Sequence, residues 1–328
     1  MSLRIAACLV AVTAAMLAAL PASAQEQIRL GHNRTWSNPA LIIGLGTGAF
    51  DKAGVHVAER EFTNPADIIT AIASGDLDAG AAPGATLFAS VLRGVKVKAV
   101  ALLQGDNTPP ISYKVLSDSG IASVADLRGK KAAVNNYGGV YDIYLRYWVA
   151  KFGLDPKKDL DILVVPVPAM LPSLINHQID IAPLAAFDQA LAEQRYPGKL
   201  RTLFSYDDVV QDGIGNTHNN SIVLVMADKF VGEHRATAVK FLTGYLRAVH
   251  AMNADPKAAL ATWAKTVGNP ALANLPRPPT VPDDGKVYPD GLQFDADQAV
   301  RFGYLDRKID TSDMVDNSLI DAAARALR

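Results

Sequence analysis

Cysteine is almost absent from this chain. Among its 328 residues the single thiol belongs to Cys8, which lies in a segment that we expect to be removed from the mature protein. We therefore expect no disulfide, so that stability must come from an ordinary hydrophobic core. The chain has the size for such a core, since domains of roughly 100–200 residues are usual and two would fit.

An excess of charge of either sign is also lacking. The sequence contains 32 basic and 33 acidic residues, a formal net charge of −1, and removal of Arg4 would leave 31 basic residues. This balance argues against the positive surface that nucleic acid or an anionic membrane would require. We therefore expect no nucleic-acid partner.

The usual catalytic and metal-binding motifs are missing as well. No Gly-x-Gly-x-x-Gly opens a helix, no phosphate loop ends in Gly-Lys-Ser/Thr, and no Gly-x-Ser-x-Gly elbow occurs. No two of the six histidines have the spacing of metal ligands on one helix. These histidines are His32, His56, His177, His218, His234 and His250. The sequence therefore predicts no catalytic centre, no cofactor and no metal site.

One long hydrophobic run occurs, at the N-terminus. Residues 5–20 are uncharged and follow Arg4, but they are fewer than the roughly 20 residues that a membrane-spanning helix needs. Residues 21–24, Pro-Ala-Ser-Ala, have the small-x-small pattern that signal peptidase cuts. We predict a signal peptide over residues 1–24, cleavage after Ala24 and a periplasmic mature protein. The alternative is that this run forms a buried N-terminal helix. No residue caps such a helix, and the following proline would break it.

Beyond Gln25, short runs that favour β-strands alternate with segments of helical periodicity. Two helices begin alike, with a capping asparagine followed by proline, at Asn38-Pro39 and Asn64-Pro65. The alternation restarts after Pro110 and gives way to helices towards the C-terminus. Residues 269–289 contain six prolines and predict a long surface loop. This order predicts two open α/β units, with helices on the faces of the sheets, and a helical tail.

Five short segments occur in an order and spacing typical of one protein family. They are Ile28–Gly31, Gly48–Val55, Ala71–Gly80, Ile121–Val134 and Val315–Asp321. Together they make the chain similar to the periplasmic solute-binding proteins of the nitrate, sulfonate and taurine type, which supply ABC importers. The same superfamily includes the thiamin-pyrimidine synthases.

The resemblance implies a type II periplasmic binding protein, an α/β protein of two lobes with the ligand in the cleft between them. The chain would cross between the lobes near Pro110 and again near Ala227. Lobe 1 would comprise residues 25–109 and 228–328, and lobe 2 residues 110–227. Closure over the ligand would be a hinge motion driven by tighter binding to the closed state. The implied partners are a small anionic ligand and an ABC permease in the inner membrane, and the binding protein itself would be a monomer.

Two predicted strand-to-helix turns carry glycine and are candidate anion sites. They are Pro83-Gly84-Ala85-Thr86 in lobe 1 and Asn136-Tyr137-Gly138-Gly139 in lobe 2. The N-terminus of a helix presents unpaired N–H groups and a partial positive charge, and the Thr86 hydroxyl adds a donor. If the turns face each other, they would clamp one carboxylate or sulfonate. The alternative is that both are ordinary turns.

The second turn departs from the family pattern, which often has Gly-Ser-Thr/Ser followed two residues later by His. Those positions hold Tyr137, Gly138, Gly139 and Tyr141. The acidic-proline pair that often follows a later strand is replaced by Ala186-Phe187 after Ala185, which would widen the cleft. With Trp36 in the first loop, these rings favour a bulky or aromatic anion over nitrate or taurine. Packing of Trp36 or Tyr141 against its own helix is the alternative.

Polar residues near the first loop and the second crossing complete the predicted site. Arg34 could hold a carboxylate with two hydrogen bonds, and Ser37 follows in the same loop. An exposed surface charge is the alternative for Arg34. His218 and Asn219 belong to a polar run over residues 216–220, where they would donate hydrogen bonds to the ligand or form a hinge turn.

Two other functions stay open at this point. The thiamin-pyrimidine synthases use a histidine and a lysine as substrates, but they are cytosolic and carry a cysteine-rich iron motif that this chain lacks. A binding protein that serves a membrane sensor would present the same ligand-loaded surface as one that serves an importer. The sequence therefore favours a solute-binding protein over an enzyme and does not separate import from sensing.

Overall fold

A computed structural model describes residues 26–33, 38–105 and 110–328. The predicted signal peptide and the predicted ligand residues Arg34, Trp36 and Ser37 lie outside these ranges. Within them the chain forms ten β-strands and twelve α-helices. The strands are β1 (Glu26–His32), β2 (Val55–Glu61), β3 (Ala79–Pro83), β4 (Val97–Gln104), β5 (Ser112–Leu116), β6 (Lys130–Val134), β7 (Leu160–Val164), β8 (Ala182–Leu184), β9 (Leu200–Ser205) and β10 (Ile222–Ala227). The helices are α1 (Pro39–Thr47), α2 (Pro65–Ala73), α3 (Gly84–Leu92), α4 (Val140–Lys151), α5 (Val167–Ile175), α6 (Ala186–Arg195), α7 (Tyr206–Ile214), α8 (Asp228–Glu233), α9 (Arg235–Ala254), α10 (Pro256–Val267), α11 (Pro289–Arg301) and α12 (Asn317–Ala326).

The first sheet contains five strands in the order β2-β1-β3-β10-β4. β1 pairs in parallel with β2 and β3, whereas β10 runs antiparallel to β3 and β4. Residues 222–227 are predicted to belong to lobe 2, but they form β10 of the first sheet, so this predicted boundary is wrong. The local pattern identifies a strand but not the sheet in which it pairs. The chain therefore returns to the first sheet before Ile222 and not near Ala227.

The second sheet is built from β5 to β9. β5 lies between β8 and β9 and is antiparallel to both, and β6 pairs in parallel with β7. The Ala133 N–H donates to the Ile181 carbonyl at 2.9 Å, which joins β6 to the residue before β8. The strands thus lie in the order β7-β6-β8-β5-β9. The interval between β4 and β5, where the chain passes from the first sheet to the second, contains Pro110.

Several helices begin directly where a strand ends. α3 follows β3 without a loop, α7 follows β9 in the same way, and α2, α4 and α5 follow β2, β6 and β7 after short turns. α2 starts as the sequence predicts, with Asn64 accepting the Ala66 N–H at 3.1 Å and Pro65 in the first turn. In this arrangement helix N-termini collect at the carboxyl ends of the strands, which is where open α/β sheets bind ligands. Across the described ranges, no helix has the length and apolar character needed to cross a membrane.

The hydrophobic core forms two clusters. One packs the first sheet against α1, α9, α10 and α12, with the Phe50 and Phe241 rings stacked at 4.7 Å and Trp263 fully buried. The other extends from α2 and α3 through the second sheet and includes Leu292 and Phe294 of α11. α11 contacts α3 as well as α4 and α7. This helix therefore connects the two halves of the molecule.

Residues 269–289 are not the surface loop that their proline content predicts. Pro270–Asn274 forms a 3₁₀ turn, and Leu272 and Val281 are buried in the first cluster. The Leu102 N–H of β4 donates to the Gly285 carbonyl at 2.8 Å. The prediction was wrong because a few apolar residues are enough to anchor an irregular segment to the core.

Candidate ligand-binding site

A cleft of about 700 Å³ lies between the two sheets. Thr86 of α3 and Gln104 of β4 contribute to its wall from the first half of the molecule. Val140 of α4 and Tyr206 of α7 contribute from the second half. The cleft therefore has the position that the resemblance implies for a bound solute.

First-turn residues of five helices line this cleft. They are Pro65 of α2, Ala85 and Thr86 of α3, Val140 and Tyr141 of α4, Val167 and Pro168 of α5, and Tyr206 of α7. Each N-terminus carries a partial positive charge that stabilises a nearby anion by about 0.3–1 kcal/mol at an exposed site. Five such ends at one cavity favour a negatively charged ligand.

Three of these helices, α3, α4 and α5, have first turns that no side chain caps. α5 follows Pro166 and has Pro168 at its second position, which lacks an N–H, so it offers fewer donors than the other two. α3 follows Pro83, which has no hydroxyl or amide to offer, and α4 follows Gly139. The N–H groups of a first turn have no partner within their helix, so those of Ala85, Val140 and Tyr141 can donate to a ligand. By contrast, the Ser205 hydroxyl caps α7 by accepting the Asp208 N–H. α3 and α4 are therefore the principal donors on opposite walls.

The polar side chains on the described part of the cleft wall are all uncharged. They are Asn64, Thr86, Gln104, Asn135, Asn136, Tyr141, Tyr206 and Ser221. Apolar surface between them comes from Ile111, Val140, Val167 and Ile222. A ligand held here would be bound by backbone and side-chain dipoles together with apolar contacts.

Tyr206 is the clearest ligand-facing residue that the sequence analysis did not identify. Its side chain is 1% exposed and lines the cleft, and its hydroxyl makes no hydrogen bond with the described residues. The ring packs against Tyr144 at 4.6 Å and Tyr113 at 6.2 Å, and burial raises the pKa of its hydroxyl. A buried hydroxyl without a partner costs about 1–3 kcal/mol, which a hydrogen bond from a ligand would remove.

Tyr141, a predicted ligand residue, lies on the same wall. Its side chain is buried, and its ring meets that of Tyr206 edge to face at 6.1 Å. The Tyr113 hydroxyl donates to the Tyr141 carbonyl, and this buried hydrogen bond holds the first turn of α4 in position. The two rings at the cleft, Tyr141 and Tyr206, form a partly aromatic wall.

The Asn136–Gly139 turn contains two glycines, of which Gly138 is required by its backbone conformation. Gly138 has φ +73°, and a Cβ added there would lie 2.9 Å from the Tyr304 ring. A Cβ on Gly139 would lie 2.7 Å from the side-chain amide of Asn136. Asn136 and Gly139 line the cleft, whereas Gly138 lies behind it. Gly138 is thus explained by its positive φ and by the Tyr304 ring, and Gly139 lies within reach of a side chain that can move.

Besides Gly138, five predicted residues do not line the cleft in this structure. Tyr137 is 54% exposed and its hydroxyl donates to the Ile162 carbonyl at 2.9 Å. His218 stacks on Tyr288 at 4.1 Å, and its Nδ1 lies 2.9 Å from the Asp290 carboxylate. Both side chains are engaged elsewhere, so neither presents a ring or a donor to the cleft.

The other three are buried. Asn219 is 3% exposed and accepts the Ser221 hydroxyl at 2.7 Å. Ala185, which precedes α6, lies in the second core cluster. Gly84 is the buried first residue of α3, where an added Cβ would make ordinary contact with Leu292 and Phe88 at 3.4 Å. For Gly84 only the backbone remains a possible ligand group.

Other cleft residues missed by the sequence analysis had weak local signals. Asn64 and Pro65 were identified only as a helix start, although a helix start after a strand is itself a place where ligands bind. Tyr206 lies within the Ser205–Asp208 capping box at the end of β9, which could have placed it at a first turn. Gln104 and Ser221 lie side by side at the cleft only because β4 pairs with β10, which the local sequence does not indicate.

Comparison with known proteins identifies one family over most of the chain. Residues 40–259 match the family model described as NMT1/THI5 like. A Bacillus subtilis protein designated an aliphatic sulfonates-binding protein is 25% identical over 306 residues, which cover 91% of this chain and 88% of that protein. The nitrate/nitrite binding protein NrtA of Synechococcus elongatus is 37% identical over 70 residues, but the match spans 20% of this chain and 16% of NrtA.

An enzyme also occurs among the relatives. The 4-amino-5-hydroxymethyl-2-methylpyrimidine phosphate synthase of Schizosaccharomyces pombe is 26% identical over 222 residues, which cover 66% of this chain and 60% of the enzyme.

Solved structures confirm the predicted fold class. The periplasmic aliphatic sulphonate binding protein SsuA from Escherichia coli superposes with a TM-score of 0.73 at 18% identity, covering 89% of this chain and 92% of SsuA. The periplasmic nitrate-binding protein NrtA from Synechocystis PCC 6803 gives a TM-score of 0.71 at 16% identity, covering 93% of this chain and 90% of NrtA. The chain thus has the two-lobed α/β fold of periplasmic binding proteins.

Proposed function

Because the chain belongs to the NMT1/THI5-like family, we propose that it is an extracytoplasmic solute-binding protein that captures a small organic anion for an ABC importer. The observation that carries this proposal is the convergence of helix N-termini on the inter-lobe cleft, with the first turns of α3 and α4 uncapped by any side chain. Such first turns bind anionic oxygens through their N–H groups. A carboxylate or sulfonate head between Ala85 and Val140 would use them from both lobes.

The ligand body is proposed to be aryl or otherwise bulky. A cleft of about 700 Å³ exceeds what nitrate or taurine would fill, and pockets of 300–1,000 Å³ typically hold larger organic molecules. Tyr141 and Tyr206 offer ring surface, and Ile111 and Val167 offer apolar contact. These groups favour a flat apolar body behind a charged head.

The proposed partner is an ABC permease, which fits the sulfonate-binding designation of the Bacillus subtilis relative. A membrane sensor is the second possible partner, since both would recognise the closed, ligand-loaded protein. An adjacent permease and ATPase in the genome would favour import, and an adjacent sensor kinase would favour signalling.

An enzyme of the pyrimidine synthase type is the second candidate function, because one such enzyme is a relative. That chemistry consumes a histidine and a lysine, and the described walls of the cleft contain neither. Recovery of the ligand unchanged after prolonged incubation with the protein, measured by mass spectrometry, would favour binding. Conversion of the ligand or loss of mass from the chain would favour the enzyme.

The charge requirement of the site provides the direct test. We expect calorimetric titration to detect binding of benzenesulfonate or benzoate and little binding of the neutral benzenesulfonamide of similar shape. Nitrate and taurine are titrated in parallel as small ligands. Binding of nitrate or taurine alone would contradict the bulky ligand, and equal binding of the neutral sulfonamide would contradict recognition of an anion.

A further inference from the structure

A second chamber of about 380 Å³ adjoins the ligand cleft. The two cavities share the wall formed by Ala85, Thr86 and Asn136. Beyond this wall the chamber follows α3 from its first turn to Arg93, the residue that caps its C-terminal end. The first turn of α3 therefore borders both cavities, and the chamber extends from it along the same helix.

The walls of the chamber suit an aryl body. Phe88, Ala89 and Leu305 contribute apolar surface, and Tyr137 and Tyr304 contribute rings. The hydroxyls of both tyrosines already donate elsewhere, to the Ile162 carbonyl and to the Asp142 carboxylate. These groups therefore offer ring faces and edges to a ligand and require no new hydrogen bonds from it.

Arg93 alone among the chamber-lining residues that the structure describes carries a charge. Arg93 is exposed, and its guanidinium makes no hydrogen bond or ion pair with the described residues. Seven residues separate Arg93 from Thr86, which corresponds to about 10 Å along a helix axis. The chamber thus has an uncapped helix N-terminus at one end and an unpaired cation at the other.

We propose that this chamber is a distal subsite, and that the preferred ligand is an elongated aryl molecule with a second acid group that reaches Arg93. The inference rests on the proposed function, since the first acid group is the one held at the helix N-termini. Specificity for length and for the second charge would come from this chamber, and binding of the head would come from the main cleft.

The test compares a biphenyl monosulfonate with the biphenyl disulfonate that has both acid groups para, by calorimetric titration of the full protein at low and high salt. An exposed ion pair contributes little, so we expect a twofold to fivefold preference for the disulfonate at low salt and none at about 0.5 M salt. Arg93→Gln should abolish the preference and leave the affinity for the monosulfonate unchanged. Lys96→Gln removes an equal charge nearby but outside the chamber, and should keep the preference.

A second variant tests the volume of the chamber. Ala89→Phe would fill it from the half-buried face of α3, so it should weaken binding of the biphenyl monosulfonate and leave binding of benzenesulfonate unchanged. A disulfonate that binds no better than the monosulfonate, or a preference that survives in Arg93→Gln, would overturn the subsite while leaving the proposed function standing. Binding of no sulfonate at all would overturn both.

Discussion

The hydroxyl of Tyr304 donates a hydrogen bond to the carboxylate of Asp142, in the first turn of α4. Asp142 is fully buried, pairs with the Arg146 Nε at 2.7 Å and accepts the Gly138 N–H at 2.9 Å. An unpaired carboxylate this close to the N-terminus would repel an anionic ligand. Here Arg146 balances its charge, and its oxygens face Gly138 and Tyr304. The acidic residue therefore positions the Asn136–Gly139 turn and does not oppose the ligand.

Gly138→Ala tests this packing. We expect it to lower the free energy of unfolding by about 2–5 kcal/mol, the sum of a positive φ and a contact of the new Cβ with the Tyr304 ring. Gly120→Ala is the matched control, because Gly120 has the same φ of +73° with nothing within 4 Å of an added Cβ. It should lose only about 1–2 kcal/mol. Equal losses in urea titrations of the two variants would contradict the role of Tyr304.

Much of the fold could be predicted from local signals. Strand-to-helix junctions such as Pro83-Gly84 are marked by turn residues and apolar periodicity, so the two glycine turns were located correctly in the chain. The sheet that receives β10 could not be predicted, because antiparallel pairing with β3 and β4 depends on strands more than a hundred residues earlier. Local patterns specify an element and leave its partners undefined.

The candidate site shows the same limit at the level of side chains. Tyr137 and His218 have the residue types of ligand groups, but they bond to Ile162 and Asp290, which lie 25 and 72 residues away. The capping box at Ser205 marks Tyr206 as a first-turn residue, but no local feature indicates that its hydroxyl lacks a partner. Whether its hydroxyl finds a partner depends on how β5, α4 and α7 pack together, so only the structure reveals that it has none among the described residues.

Tyr206→Phe should affect the free and the ligand-bound protein in opposite directions. Removal of a buried, unpaired hydroxyl should leave the melting temperature of the free protein unchanged or raise it. Loss of a hydrogen bond to the ligand should weaken affinity by about threefold to tenfold. Thermal unfolding and calorimetric titration measure the two effects separately.

Tyr144→Phe is the control for this substitution in the same cluster. The Tyr144 hydroxyl already donates to Asp295 at 2.9 Å, so its loss should destabilise the free protein by about 1–3 kcal/mol. A drop in the stability of free Tyr206→Phe similar to that of Tyr144→Phe would mean that the Tyr206 hydroxyl has a structural partner. Unchanged ligand affinity would contradict its proposed role.

Val140→Pro removes one backbone donor from the first turn of α4. Proline is well tolerated at the first position of a helix, and Gly139, with φ −78° and ψ 169°, has the extended conformation that a residue before proline requires. If the Val140 N–H binds the anionic head, affinity should fall about tenfold or more. Val140→Ala keeps the N–H and shortens the side chain, so it is the matched control. Equal affinities in titrations of the two variants would exclude this donor.

Asp295→Asn should change how stability depends on pH. Burial raises the pKa of Asp295 to about 7, although the hydrogen bond from Tyr144 acts in the opposite direction. An aspartate in an unfolded chain has a pKa of about 3.9, so between about pH 4 and 7 the folded state holds more protons than the unfolded state. The contribution of Asp295 to the free energy of unfolding is therefore present at acidic pH and is lost as the pH rises through this window. Asparagine can still accept from Tyr144 and does not titrate.

Urea titrations of the wild type and the variant at several pH values measure the difference. The difference in the free energy of unfolding should shift in favour of Asp295→Asn by about 2–3 kcal/mol between about pH 5 and 7.5 and then level off. Asp188, whose pKa burial raises to about 6, has an effect of the same sign in both proteins and cancels in the comparison. Asp297→Asn, on the exposed face of the same helix, controls for the loss of one carboxylate. Parallel stability curves for the wild type and Asp295→Asn would show that the buried carboxyl does not take up a proton in this range.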